Sequence, residues 1–126
     1  MEAGLLRGPL FLVVGVLGGA LFLSVMSLLL AVHPPRFRST LTPADLGWRY
    51  ERVRLVTQDG LVLAAWYIPG EAAQPEEAVI VLHGYPFDKG NVLPVTAFLH
   101  RRYDLLLFDF RSFGESQGRI TTQGAR

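Results

Sequence analysis

Apolar residues fall into three patterns along this chain, and each predicts a different element. Leu10 to Val32 carries no charge; as a helix at ~1.5 Å per residue it spans roughly 35 Å, more than the ~30 Å hydrocarbon core of a bilayer. Val53 and Leu55 alternate with Arg52 and Arg54, the period of a half-exposed strand. Ala78 to Leu82 and Tyr103 to Phe110 are apolar with little alternation, which suits central strands of a sheet covered on both faces. Between these two runs, Asp88 to Arg102 has helical marks. Asn91 is placed to cap, Pro94 suits the first turn, and Val92, Val95 and Leu99, with Phe98 beside them, form a stripe to face a sheet. Strand, helix, strand at this spacing predicts a βαβ unit, with parallel strands and a right-handed crossover.

Upstream of that unit, Tyr50–Thr57 and Leu61–Ile68 flank Gln58-Asp59-Gly60. Asp-Gly is a strong hairpin signal and predicts a type I′ turn, with positive φ at both central residues. Thr42, Pro43, Asp45 and Gly47 mark a short helical turn with a cap, a first-turn proline, a capping-box acid and a terminating glycine. The expected organisation is a tail at 1–9, a transmembrane anchor at 10–32, a linker at 33–47, and an α/β portion at 48–126. Trp48, Trp66 and Tyr67 could stack on a ligand, but aromatics in strands most often pack.

The anchor has one rival, a cleaved signal peptide. That wants a shorter apolar core and an A-x-A-like site, whereas the exit here reads Ala31-Val32-His33-Pro34. Arg36, Arg38 and Arg49 follow the span and Arg7 precedes it, so the positive-inside rule points to a cytoplasmic C-terminal part by a margin of about one charge. Gly15 and Gly19 have the G-x-x-x-G spacing that lets two membrane helices dimerise closely; the general abundance of glycine in membrane helices is the readier account of it.

Composition narrows the function classes. With 12 basic and 11 acidic residues and a net charge of +1, the chain has no electrostatic footprint for nucleic acid. It has no cysteine, which excludes a disulfide framework, a Cys–zinc site and a lipid anchor on cysteine. Its single lysine, Lys89, carries no evident message. Glu76-Glu77 in the polar loop after Pro69 reads as a solvated pair, without further metal ligands near it.

Chemistry concentrates at the break after Leu82. His83-Gly84-Tyr85-Pro86 leaves the carboxyl end of a strand, where open α/β sheets bind ligands. Neither G-x-G-x-x-G nor the G-x-x-x-x-G-K-[ST] order of a phosphate loop is present. What remains is a tight turn able to present a main-chain N–H to a developing oxyanion. This turn, together with Asp109-Phe110-Arg111-Ser112-Phe113-Gly114-Glu115-Ser116 after the next strand, resembles the α/β-hydrolase superfamily. Within it the pattern is similar to membrane-anchored or secreted serine hydrolases with an H-G-x-P-like turn and a D-x-R-G-x-G-x-S loop. The likeness covers roughly Pro35 to Arg126, the N-terminal third of such a domain.

The resemblance implies a partial α/β-hydrolase fold: an N-terminal β-hairpin, then the first βαβ of the parallel sheet, preceded by one transmembrane helix. It implies the Tyr85 N–H as one of two oxyanion donors, with His83, Gly84 and Pro86 supporting the turn and Asp109 with Arg111 as a loop-fixing pair. It implies an acyl substrate, no cofactor and no metal. Ser112 stands where the family has glycine, so this loop is expected to bend differently.

Gly114-Glu115-Ser116-Gln117-Gly118 matches G-x-S-x-G letter for letter but is read as a decoy. A nucleophile elbow needs a strand running into the first glycine and a helix straight after the motif, and the superfamily's acid and histidine follow its serine. Here Arg111-Ser112-Phe113 intervenes, and His33, His83 and His100 all lie upstream. The expectation is therefore a chain cut before its nucleophile and inactive alone, with strand three left at an open edge. The alternative is a non-enzymatic membrane-tethered binding or dimerisation module.

Overall fold

The computed structural model describes residues 7–72 and 77–119, and the chain divides into two compact units at Val32. The first is one helix, α1 (Arg7–Val32), with a mean hydropathy of 2.4 over its most apolar window. Its length and composition suit a membrane crossing, and a signal sequence near the N-terminus fits the same description. Ser24 donates its hydroxyl to the Ala20 carbonyl at 2.8 Å, so this polar side chain is satisfied within the helix.

The second unit is a four-stranded mixed sheet in the order β1-β2-β4-β3. The strands are β1 (Glu51–Val56), β2 (Val62–Ile68), β3 (Ala78–Leu82) and β4 (Asp104–Phe108). β1 and β2 form the antiparallel hairpin, β3 and β4 are the parallel pair, and β4 also pairs antiparallel with β2. The crossover from β3 to β4 contains one helix, α2 (Leu93–His100).

One face of this sheet is covered. Trp66 and Ile68 of β2 and Leu105 and Leu107 of β4 are buried with Leu93 of α2, and Val79 and Val81 of β3 pack against them. The opposite face carries Val53, Leu55, Leu63, Leu106, Phe108, Ile80 and Leu82 by the strand registers. Among the described residues nothing covers it at β3, where Ile80 is 60% and Leu82 51% exposed. The expectation of a central strand is corrected here: β3 is an edge strand in this chain. The open edge expected beyond it is present.

Three local expectations also change. The hairpin turn is not type I′, since only Gly60 has positive φ (80°); Gly60 N–H donates to Thr57 O and Thr57 N–H to Leu61 O, both at 2.9 Å. That is a type I turn closed by a glycine bulge, the preferred solution for a three-residue loop. Asn91 is not the cap before α2. A 3-10 turn (Lys89–Val92) precedes the helix, so the cap moves upstream to Asp88, whose carboxylate accepts from Gly90 N–H (3.1 Å) and Asn91 N–H (3.3 Å). The helical stripe is the expected one only in part. Val92 and Leu99 pack against the core as expected, but the buried positions are Leu93, Thr96 and His100, and Val95 and Phe98 are 66% and 71% exposed. Pro94 does fall in the first turn. The predicted turn at Pro43–Leu46 forms as a single 3-10 turn closed by Gly47, with Asp45 accepting from Thr42 N–H at 2.8 Å. The Thr42 hydroxyl donates to that same carboxylate at 2.7 Å.

The three aromatics are accounted for by packing and pairing. Trp66 is core, Trp48 stacks on the His100 ring at 4.2 Å, and Tyr67 donates to Asp104. Glu76 lies outside the described residues.

Candidate active site at the ends of β3 and β4

The chain leaves β3 and β4 side by side because the strands are parallel, so the two polar breaks seen in the sequence meet at one end of the sheet. His83 is buried at this junction. Phe110 N–H donates to its Nε2 at 3.0 Å, which places the ring hydrogen on Nδ1, 3.1 Å from the Gly84 carbonyl. The histidine thus ties the turn after β3 to the loop after β4. The Tyr85–Pro86 bond is cis, and Phe87 N–H closes the turn on Gly84 O at 2.9 Å. Beside it lies a cavity of about 210 Å³ lined by His83, Gly84, Tyr85, Phe110 and Phe113. Phe113 packs edge-on against the rings of both His83 and Tyr85.

Asp109 and Arg111 do not pair with each other. Arg111 reaches away to the hairpin and makes a two-pronged contact with Asp59 at 3.0 and 3.1 Å. Asp109 points into the protein, fully buried, and binds a partner that composition alone did not flag. The Lys89 ammonium lies 2.7 Å from Asp109 Oδ2 and 2.8 Å from Glu115 Oε2, with the Trp66 ring centroid 4.6 Å away. Two main-chain donors complete the carboxylate: Lys89 N–H on Oδ1 at 2.7 Å and Glu115 N–H on Oδ2 at 2.9 Å. The Lys89 hydrogen bond holds the Glu115 carboxyl below its ordinary range. The available signal was position: the sole lysine lies four residues beyond Tyr85, ahead of a strand that is followed at once by an aspartate.

Ser116 is buried, and its hydroxyl is doubly engaged. It donates to the Asp109 carbonyl at 2.6 Å and accepts from Ala64 N–H at 2.9 Å. Gln117 continues this contact along β2, its N–H on Val62 O and its side-chain oxygen accepting from Val62 N–H, both at 3.0 Å. The segment from Asp109 to Gln117 is therefore a brace folded back on β2. Among the described residues no strand runs into Gly114.

Ser112 takes φ 72°, the left-handed conformation that glycine adopts freely. The bend expected to differ is thus formed by the serine itself, and its buried Oγ has no hydrogen-bond partner among the described residues. Ser112→Gly should accordingly raise stability by about 1 kcal/mol. It relieves a left-handed strain of about 1–2 kcal/mol and removes an unpaired hydroxyl, against a glycine entropy cost of about 0.5–1 kcal/mol. Thermal or denaturant unfolding reads the sign directly, and a destabilised variant would contradict this account.

No protein-family model matches the chain. Over 87 residues, 66% of the chain, it is 34% identical to the uncharacterized protein YfhR of Salmonella typhi, of which it covers 28%. Over 71 residues it is 39% identical to the thiohydrolase aneE of Aspergillus aculeatus, covering 55% of this chain and 22% of that one. The esterase Pf2001 of Pyrococcus furiosus matches in structure with a TM-score of 0.63 at 34% identity, over 75% of this chain and 36% of that one. The fold is similar to α/β-hydrolase structures. The chain spans roughly a quarter to a third of the length of these proteins. Two of these proteins carry an activity in their names, an esterase and a thiohydrolase.

Proposed function

We propose that this chain is the N-terminal portion of a membrane-anchored serine hydrolase of the α/β-hydrolase type. It acts on an ester, amide or thioester through an acyl-enzyme. In this reading α1 is a single-pass anchor, with Gly15 and Gly19 on one face for a second helix, and the arginines after it favour a cytoplasmic site. A serine outside these 126 residues attacks the acyl carbon. The carbonyl oxygen becomes an oxyanion, and the Tyr85 N–H is one of its two donors. Collapse expels the alcohol, amine or thiol, and water then releases the acyl group.

The observation that carries this reading is the 83–86 turn, held at the carboxyl end of β3 against the loop after β4 with an aromatic cavity beside it. Two other observations support it. The Ser116 hydroxyl is committed to the Asp109 carbonyl and the Ala64 N–H, so Ser116 serves as a brace and not as the nucleophile. His83 Nε2 is occupied by Phe110 N–H, so His83 supports the turn and is not the base. The acid, the base and the second oxyanion donor then come from the same portion of the protein as the nucleophile, a portion that would also cover the open sheet face.

A fluorophosphonate probe tests this on the full-length gene product. The expected outcome is a labelled serine outside residues 1–126, with labelling and p-nitrophenyl ester turnover lost together when that serine is replaced by alanine. A label on Ser116 would overturn the assignment of the nucleophile. Neither label nor turnover would overturn the enzyme reading in favour of a tethered binding module.

A further inference from the structure

The buried ammonium of Lys89 has no part in the reaction just proposed, yet it stands at the point where the oxyanion turn is fastened. Five residues, Gly84 to Asp88, make up the turn and its exit. Their upstream end is fixed by His83 through Phe110 N–H. Their downstream end is fixed by Lys89 N–H on Asp109 Oδ1 at 2.7 Å, and by Ser39 N–H on the Asp88 carboxylate at 2.7 Å. Both β4-side anchors are adjacent residues, Asp109 and Phe110, so the direction of the Tyr85 N–H depends on where the Asp109 carboxylate sits. That carboxylate is fully buried, and its only side-chain donor among the described residues is the Lys89 ammonium at 2.7 Å. The ammonium in turn is 2% exposed and held from three sides: Asp109, Glu115 at 2.8 Å, and the Trp66 face at 4.6 Å. A fully desolvated charge at this place needs a paired, well-oriented partner.

We propose that Lys89 is a positioning residue for the oxyanion turn, its ammonium orienting Asp109 so that Asp109 fixes the turn's downstream end. This rests on the reading of Tyr85 N–H as an oxyanion donor. Lys89 itself touches neither substrate nor reacting atoms. An N–H a fraction of an ångström out of place still allows substrate binding and stabilises the transition state less, so the loss falls on kcat and leaves KM in place.

The test uses the full-length protein, with active sites counted by fluorophosphonate labelling so that misfolded molecules do not enter the rate. Lys89→Met should lower kcat per labelled site by at least about tenfold with KM within about twofold of wild type. The inhibition constant of a trifluoromethyl ketone, which binds as the oxyanion, should rise by the same factor as kcat/KM falls. If Lys89→Met gives no soluble protein, Lys89→Gln is read the same way, since it keeps an N–H donor at a shorter reach. Unchanged kcat per labelled site, or a raised KM alone, would show that Lys89 serves stability only and would overturn the assignment. A wild type that neither labels nor turns over would overturn the hydrolase reading, and this assignment with it.

Discussion

Asp109→Ala should destabilise the fold by about 4 kcal/mol, the cost of removing one partner of a buried ion pair. The alanine leaves the Lys89 ammonium in an apolar setting beside Trp66, with only the half-exposed Glu115 for a counter-charge. It also strips the acceptor from two main-chain donors, Lys89 N–H and Glu115 N–H. Arg111→Ala provides the comparison within the same loop. Its pair with Asp59 is in part exposed to solvent, and exposed pairs contribute at most about 1 kcal/mol. Denaturant unfolding of the full-length protein separates the two. Equal losses would mean that the charge node is not what holds the loop.

A second large effect is expected from the smallest possible substitution. Gly114→Ala should cost about 2–5 kcal/mol, because Gly114 has φ +45° and an added Cβ would lie 2.3 Å from Asp109 Oδ2 and 2.5 Å from its Cγ. An alanine there carries left-handed strain of about 1–2 kcal/mol and also pushes on a carboxylate locked by an ammonium and two amides. Overpacking of that kind costs about 1–3 kcal/mol more. The clash has its own signature. In an Asp109→Ala background the Cβ has room, so the two losses should fall short of their sum by at least about 1 kcal/mol. Strict additivity would place the cost of Gly114→Ala in the backbone alone.

Much of this fold was legible because the patterns are local. An uncharged span, an arginine-alternating strand and two apolar runs each follow from side-chain period, and all four lie where the structure has α1, β1, β3 and β4. Face and neighbour were harder to read. The run from Ala78 to Leu82 looked central because every residue is apolar, but a run cannot say whether anything in the same chain lies beside it. Likewise Val95 and Phe98 shared the period of the inward residues. The 3-10 turn at Lys89–Val92 changes the phase of α2, which brings Leu93, Thr96 and His100 to the sheet. The turn type after Thr57 depended on one dihedral angle, and Asp-Gly serves both solutions.

At the candidate site, the turn at His83–Pro86 was visible as a sharp polar break, and the tie from His83 to Phe110 fits the supporting place given to the histidine. Lys89 and Glu115 were not visible. Their roles arise from a pairing across the parallel strands, between a residue in the crossover and residues after β4, and no spacing rule links them. Arg111 illustrates the same limit in reverse: two charges two residues apart looked like partners, while the backbone sends them to opposite sides.

The strand order β1-β2-β4-β3 also sets a timetable during synthesis. β3 is made before β4, yet β4 is the strand to which it pairs, and β4 also inserts beside β2. Until Phe108 has left the ribosome, β3 has no hydrogen-bonding partner, and Ile80 and Leu82 belong to a bare apolar strand. At ~5–20 residues per second the wait lasts roughly one to five seconds. Over that interval the nascent chain is open to chaperones that bind extended apolar segments, and the β1–β2 hairpin alone stands ready to receive β4.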